Sequence, residues 1–342
     1  SVGSVRASGR SGVQIQGGIV DSVRADDEGT LRLNTGSFGH VLATGRSTVI
    51  VDGASTSYME IEDASDIRFL DGICGSISMR SSGSFVFSGG ECDYLFASDF
   101  TELLIDGGVI TERVSVNNDS LITQRGGSVS VYELYEDSTF VLERGEVLSD
   151  LVLYEDTEID VRGGVIHGTL FSPDFGNVIR MSGGAVQGGF NVEYNTAIEL
   201  EAAEFLYDHD LDPETPRVAI DFGGAQEMVL TSQHPLLEIV SVDGIEYRTI
   251  PGLLPVWVGG ATDELALHLS RGFARSSNAW TGTLTLRLVR PADLDGDGVV
   301  GSRDLAVILS SWGDCDGCAA DLNGDGVVGA SDLAIVLAAW GA

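Results

Sequence analysis

A repeat constrains this chain more than any other feature. A bend, in most copies built on glycine and followed by an apolar residue, returns eleven times at steps of 17 to 20 residues. Its copies end at Val20, Phe38, Ser55, Cys74, Cys92, Ile110, Val129, Val147, Ile166, Val186 and Phe205. Between bends the residues alternate. In 21–38, Val23 and Ala25 alternate with polar neighbours, then Leu31 and Leu33 do, and Phe38 follows the glycine. In 111–129 the same logic selects Val114, Val116, Leu121, Thr123 and Val129. Alternation at period two sends one set of side chains to each face of a strand. Two short strands and a third apolar touch cannot bury a face alone; stacked turn on turn, they can. Glycine suits the bends because φ > 0 carries no steric cost for it.

The fold that satisfies this pattern is mainly β. It is a parallel β-solenoid with coils of about 18 residues, each strand pairing with its counterparts above and below. At a strand spacing of about 4.8 Å, eleven coils make a rod of roughly 50 Å. Variable coil length favours a right-handed β-helix, since left-handed ones keep strict six-residue units. An antiparallel β-sandwich with turns every ~8–12 residues is the competing reading; the regular column of bends counts against it. The solenoid is assigned to 1–225, including RVAIDFGG (217–224), which reads as one more strand and corner. Residues 226–290 are β-rich without the period. Their candidate strands are LLEIVSV, IEYRTI, LPVWVG, ELALHLS and TGTLTLRLV. They predict a cap, because the last coil's unpaired backbone would otherwise template aggregation. No comparable cap precedes the first coil, so either an upstream segment is missing or that coil docks onto another molecule.

Charge narrows the partners. The chain has 52 acidic residues against 19 basic ones, all arginine, for a net charge of −33. Nucleic acid and anionic membrane surfaces would be repelled. No run of about 18 apolar residues exists, so no membrane insertion is expected. No signal peptide is present either, and the chain reads as a mature, secreted protein of the extracellular space or cell surface. Four cysteines in two pairs, Cys74/Cys92 and Cys315/Cys318, suit an oxidising compartment. Cys74 and Cys92 fall in one column, one coil apart. Stacked rungs are compatible with the ~4.4–6.8 Å Cα separation of a disulfide; two buried thiols acting as small apolar side chains are the alternative.

The chemistry lies in the last fifty or so residues. DLDGDGVVGSRD (293–304) returns as DLNGDGVVGASD (321–332), 28 positions later. Asp293, Asp295 and Asp297 stand at positions 1, 3 and 5, Val299 offers a carbonyl at position 7, and Asp304 closes at position 12. The second copy supplies Asp321, Asn323, Asp325, Val327 and Asp332. Gly298 and Gly326 fill position 6, where the loop turns sharply. Hard oxygen donors at this spacing suit Ca²⁺, one ion per loop and two in all. Position 12 is Asp rather than Glu, so the following helix must start closer to the ion. Each loop runs into an amphipathic segment, DLAVILSSWG or DLAIVLAAWG, and Trp312 and Trp340 repeat at the same offset.

Loop–helix, linker, loop–helix with Asp at position 12 resembles a type I dockerin module, over 291–342. With Cys315 and Cys318 in the linker, it resembles the variant at the C-termini of secreted planctomycete proteins. The resemblance implies a small α-helical, calcium-binding domain that docks to a protein partner, a cohesin-like receptor or a neighbouring subunit. It places partner contacts at loop positions 10 and 11, here Ser302, Arg303, Ala330 and Ser331, and on the helices that follow. Aspartates flank Cys315 and Cys318 and would raise a thiol's pKa, so a local structural disulfide is the better reading than a metal or redox pair.

No residue is assigned a catalytic role. The five histidines are dispersed, lysine is absent, and the cluster Asp208, His209, Asp210 and Asp212 reads as a solvated surface. The expected protein is a non-catalytic structural or adhesive rod with a calcium-dependent anchoring tail. The alternative is a carbohydrate-binding or polysaccharide-degrading β-helix attached through its dockerin, for which Tyr132, Tyr135 and Tyr154 in neighbouring coils are the candidate sugar platform. Head-to-tail assembly of copies into a fibre, a homo-polymer, is the third expectation.

Overall fold

A computed structural model describes residues 2–80, 82–208, 215–223, 225–242, 245–257, 264–270, 280–295, 299–315 and 318–340. The chain winds as a β-solenoid of about 11 turns. Early coils are long bent strands, such as Thr30–Ala43, Thr48–Glu62 and Asp66–Arg80. Later ones divide into three short strands, as in Glu158–Val161, Val165–Ile166 and Leu170–Ser172. Coil pairs with coil in parallel from Val2–Ala7 to Ala197–Ala202. Parallel register puts like on like, so each inward position becomes a column. One runs Leu31, Val49, Ile67, Phe85, Leu103, Ile122 and Phe140, every member buried. Removing these faces from water is the main force holding coil to coil.

Two kinds of bend close each coil. The glycine bends sit at left-handed φ, for example Gly72 (127°), Gly90 (78°) and Gly127 (69°). A Cβ on Gly72 would lie 2.1 Å from the carbonyl oxygen of Ala54 in the coil below. Glycine is therefore required twice over, by φ and by contact between coils. The other corner uses acidic or amide residues at left-handed φ, including Asp27, Asp63, Asp99, Asn118 and Asp156. Behind it stands a buried hydroxyl that donates to the carbonyl three residues back. Ser65, Thr101, Ser120 and Thr157 do so to Glu62, Ser98, Asn117 and Tyr154. This satisfies backbone that a tight turn would leave unpaired inside the wall.

The predicted alternation holds for Val23, Ala25, Leu31, Leu33, Phe38, Val114, Val116 and Val129, all buried. It is out of phase at Leu121 and Thr123. Leu121 is exposed, and Ile122 and Gln124 point inward instead. Gln124 is tolerated because its amide is satisfied. Its Oε1 accepts from the Tyr132 hydroxyl at 3.1 Å, and its Nε2 reaches the carbonyls of Gly126, Gly127 and Glu146. Tyr132 is itself fully buried. The strand Ser128–Leu134 shifts register between Val129 and Val131, which turns Tyr132 inward.

Beyond the last coil, further strands pair onto the solenoid. Leu267–Ser270 and Thr283–Leu288 add in parallel to the last coil. Glu227–Thr231 and Ile245–Thr249 then cover them antiparallel. RVAIDFGG is not a further rung. Val218–Ala219 pairs antiparallel with Glu204–Tyr207, in a small sheet that Leu254–Val256 completes. The rung is supplied from later in the chain, so the polypeptide leaves the solenoid at Glu204 and returns to it. Among the described residues, no helix is long and apolar enough to cross a membrane.

Candidate calcium loops and docking surface

Two short helices, α1 (Ser302–Ser310) and α2 (Ala330–Ala338), carry the site. The sequence duplication is repeated in the packing. The core of this module is Ala292, Val300 and Ile308 from the first half and Ala320, Val328 and Val336 from the second. A two-residue bridge pairs Gly313–Asp314 with Val327–Val328 antiparallel and ties the end of the first half to the second loop. Cys315 and Cys318 are joined as a disulfide in the connector and pack against the core.

The aspartate at position 12 organises each loop. Asp304 is the third residue of α1 and is 1% exposed. Its Oδ1 accepts from the backbone N–H of Leu294 (2.6 Å) and Asp295 (3.1 Å), and its Oδ2 from Gly301 (2.6 Å). Asp332 repeats this with Leu322 (2.8 Å), Asn323 (3.2 Å) and Gly329 (2.7 Å). One carboxylate therefore caps the helix and holds the start of its own loop. Burial works to raise the pKa of Asp304, but the donors from Gly301, Asp295 and Leu294 outweigh it and hold the carboxyl below its ordinary value. For Asp332 the Gly329 donor leads, and the carboxyl is again held low.

In the first loop, Asp293, Asp295 and Asp304 bring one carboxylate oxygen each within 4.8 Å of one another. Three like charges so close favour a divalent cation among them. Asp304 has donors on both oxygens yet retains lone-pair capacity for a metal. Val299, the position-7 residue, is exposed. Asp297 and Gly298, predicted for positions 5 and 6, lie outside the described residues. In the second loop Asp321, Asn323, Asp325 and Val327 lie on one tight turn with Gly324 and Gly326 at left-handed φ. Asp321 accepts from the N–H groups of Gly324, Asp325 and Gly326, and Asn323 Nδ2 donates to Asp325 at 3.0 Å. Among the described residues the close three-carboxylate cluster is in the first loop alone. The donor sets of both loops are oxygen throughout, which fits calcium.

Residues 291–339 match the family model of the dockerin type I domain. The chain carries a dockerin at its C-terminus. Dockerin type I domains bind calcium and dock to cohesin partners, so calcium-dependent protein docking is implied for this one. Such modules occur in secreted or cell-surface proteins. No curated protein and no solved structure matches the chain.

The dockerin's outer face is also duplicated. Leu309 and Trp312 follow the first loop, Leu337 and Trp340 the second, and each is about half exposed. Ser302, Arg303, Ala330 and Ser331, at positions 10 and 11, are exposed as well. Arg303 comes within 3.8 Å of Asp295. The sequence repeat marked Trp312 and Trp340 without showing that they lie outside the core.

Elsewhere the structure separates what the sequence grouped. Tyr132 is in the solenoid core and unavailable to a sugar. Tyr135 and Tyr154 stack on each other at 4.6 Å with rings 6° from parallel. Each ring covers one face of the other. His209, Asp210 and Asp212 lie outside the described residues. Charged groups on one flank of the later coils are spent on ion pairs, Arg162 with Asp160, Arg180 with Glu158 and Glu199, and Arg287 with Glu201 and Glu227.

Proposed function

We propose that this protein is a non-catalytic, extracellular β-solenoid arm held in place by its dockerin, which binds two calcium ions and grips a cohesin-like receptor. The gathering of Asp293, Asp295 and Asp304 at the N-terminus of α1 carries this reading. Calcium bound there would lock the loop to the helix, and the helix presents Leu309 and Trp312 outward. The second loop would do the same for Leu337 and Trp340. Docking would then depend on calcium without calcium touching the partner. The solenoid supplies length and stiffness; its turns are short and its charged flank is internally paired, which supports a structural role over a catalytic one.

The test is a calcium titration of the chelator-treated full chain by calorimetry, followed by binding to a panel of cohesin domains with and without chelator. We expect two calcium equivalents. We also expect cohesin binding that chelator abolishes and that the Leu309→Ala/Leu337→Ala variant weakens at least tenfold without altering calcium uptake. Cohesin binding that survives chelator, or a chain that takes up no calcium, would sink the proposal.

A further inference from the structure

Cys74 and Cys92 occupy successive rungs of one inward column, directly opposite each other in parallel register. Both are fully buried, and both are free thiols in the structure. Each thiol donates to the carbonyl two residues on in its own strand, Cys74 Sγ to Ser76 at 3.4 Å and Cys92 Sγ to Tyr94 at 3.2 Å. The two side chains therefore share one orientation and stack sulfur over sulfur. The rung below holds Thr56, 5% exposed, whose Oγ1 has no hydrogen-bond partner. The same column is apolar at Val20 and Phe38 before this stretch and at Ile110, Val129 and Val147 after it. Polar atoms thus fill three consecutive rungs of a wall that is otherwise hydrocarbon.

The chain has four cysteines, and the dockerin linker uses two of them in a disulfide. That bond belongs to an oxidising compartment, where a second pair of adjacent thiols does not persist unless something prevents closure. Geometry does not prevent it. In-register rungs lie about 4.8 Å apart, inside the ~4.4–6.8 Å Cα range of disulfides. In-register Cβ atoms start about one strand spacing apart, ~4.8 Å, and must close by about 1 Å to reach the ~3.8 Å typical of a disulfide.

We propose that Cys74 and Cys92 are a modification site, oxidised to a disulfide that staples two successive coils of the solenoid. The oxidant is a thiol–disulfide reagent, a small-molecule disulfide or an oxidoreductase of that class. Cys74 thiolate attacks one sulfur of the oxidant, forms a mixed disulfide and expels the first thiolate. Cys92 then attacks Cys74 Sγ, the mixed bond breaks, and the second thiolate leaves. Two protons pass to the released thiols, and the two electrons lost by the cysteines reduce the oxidant's S–S bond. Either thiol can attack first; the step balances equally with Cys74 and Cys92 exchanged, since both are buried side by side on adjacent rungs. Because both sulfurs are sealed once the coils stack, the bond forms while the coils are closing and is shielded from reductants afterwards.

The experiment folds the full chain with calcium in a mixture of oxidised and reduced glutathione. It then counts thiols under denaturant and maps peptides without reduction. We expect no free thiol, a mass lower by two hydrogens per bond, and a cross-linked peptide pair containing residues 74 and 92. Cys92→Ala, placed in a column that accepts apolar side chains, is expected to raise the count to one. Two free thiols in the wild-type chain, falling to one in Cys92→Ala, would overturn the proposal. So would a cross-link from either residue to Cys315 or Cys318.

Discussion

Replacing Asp304 with alanine tests the link between the first calcium loop and the helix it starts. Asp304 accepts three backbone N–H groups, from Leu294, Asp295 and Gly301, and is 1% exposed. Alanine leaves all three donors without a partner. Water can re-enter so thin a module, so the low end of the unsatisfied-donor cost applies, about 1 kcal/mol each and about 3 kcal/mol in all. A single core in a domain this small rarely supplies more than about 3–5 kcal/mol, and six residues form this one. The loss therefore matches the whole metal-free stability. Calcium cannot restore it, because the variant also lacks a ligand. Hydrogen exchange read by mass spectrometry on peptides from 299–340 is the assay, since the solenoid dominates any bulk signal. In Asp304→Ala we expect α1 to exchange at the rate of unstructured chain in chelator and to gain little protection in calcium. Asp304→Asn separates the two roles. Its remaining oxygen keeps the Leu294 and Asp295 bonds, so α1 stays partly protected while one calcium equivalent is lost. Wild-type protection of α1 in Asp304→Ala, with unchanged calcium stoichiometry, would refute the reasoning.

Two further outcomes follow from other sites. Tyr132→Phe removes the donor to Gln124 Oε1 inside the solenoid, so chemical denaturation is expected to show a loss of about 1–3 kcal/mol. The double variant Tyr132→Phe/Gln124→Leu should not recover that loss, because leucine also withdraws the Nε2 donor from the carbonyls of Gly126, Gly127 and Glu146. Acid should release the dockerin, because Asp304 and Asp332 are held below their ordinary values in the fold. A depressed carboxylate contributes stability above the unfolded pKa, about 3.9, and loses it as pH falls through the folded value. In chelator, the methyl NMR resonances of Ile308 and Val336 should hold at pH 6 and collapse to unfolded positions below about pH 4; constancy to pH 2 would contradict the sign.

The fold was legible where local chemistry has one solution. Gly72 and Gly127 are bends that no other residue fits, so their spacing in sequence set the coil length. The phase of a strand was less secure, because it was read from side-chain polarity. Leu121 and Thr123 looked inward by alternation, yet Ile122 and Gln124 are the buried pair. A buried amide reads as polar until its partner is known, and that partner, Tyr132, lies eight residues on. RVAIDFGG carries a good strand pattern, but pattern does not distinguish a parallel rung from an antiparallel one. The second corner of each coil had an unused signal, an acidic or amide residue followed within one or two positions by Ser or Thr, as at Asp63/Ser65 and Asp99/Thr101. The gathering of Asp293, Asp295 and Asp304 was legible because position within a loop, rather than distant packing, brings them together. The exposed Leu309 and Trp312 were not, since an amphipathic pattern does not say which apolar residues stay outside so small a core.

The two halves of the dockerin have nearly the same sequence but unequal surroundings. Asp293 follows closely on the last solenoid strand, Thr283–Leu288, and its N–H donates to Arg290. Its Oδ2 also accepts from Gln226 Nε2 at 3.4 Å, beside the cap strand Glu227–Thr231. The first loop is thus steadied from outside the module. The Asp321 N–H makes the equivalent bond, to Cys318, but its carboxylate accepts from Gly324, Asp325 and Gly326 within its own turn. A ligand carboxylate restrained before the ion arrives loses less freedom on binding. Duplication therefore supplies two similar grips, while the solenoid's cap pre-organises one of them. Under the proposed two-ion reading, a calcium titration followed by NMR is expected to show the first loop, beside the rod, filling before the second.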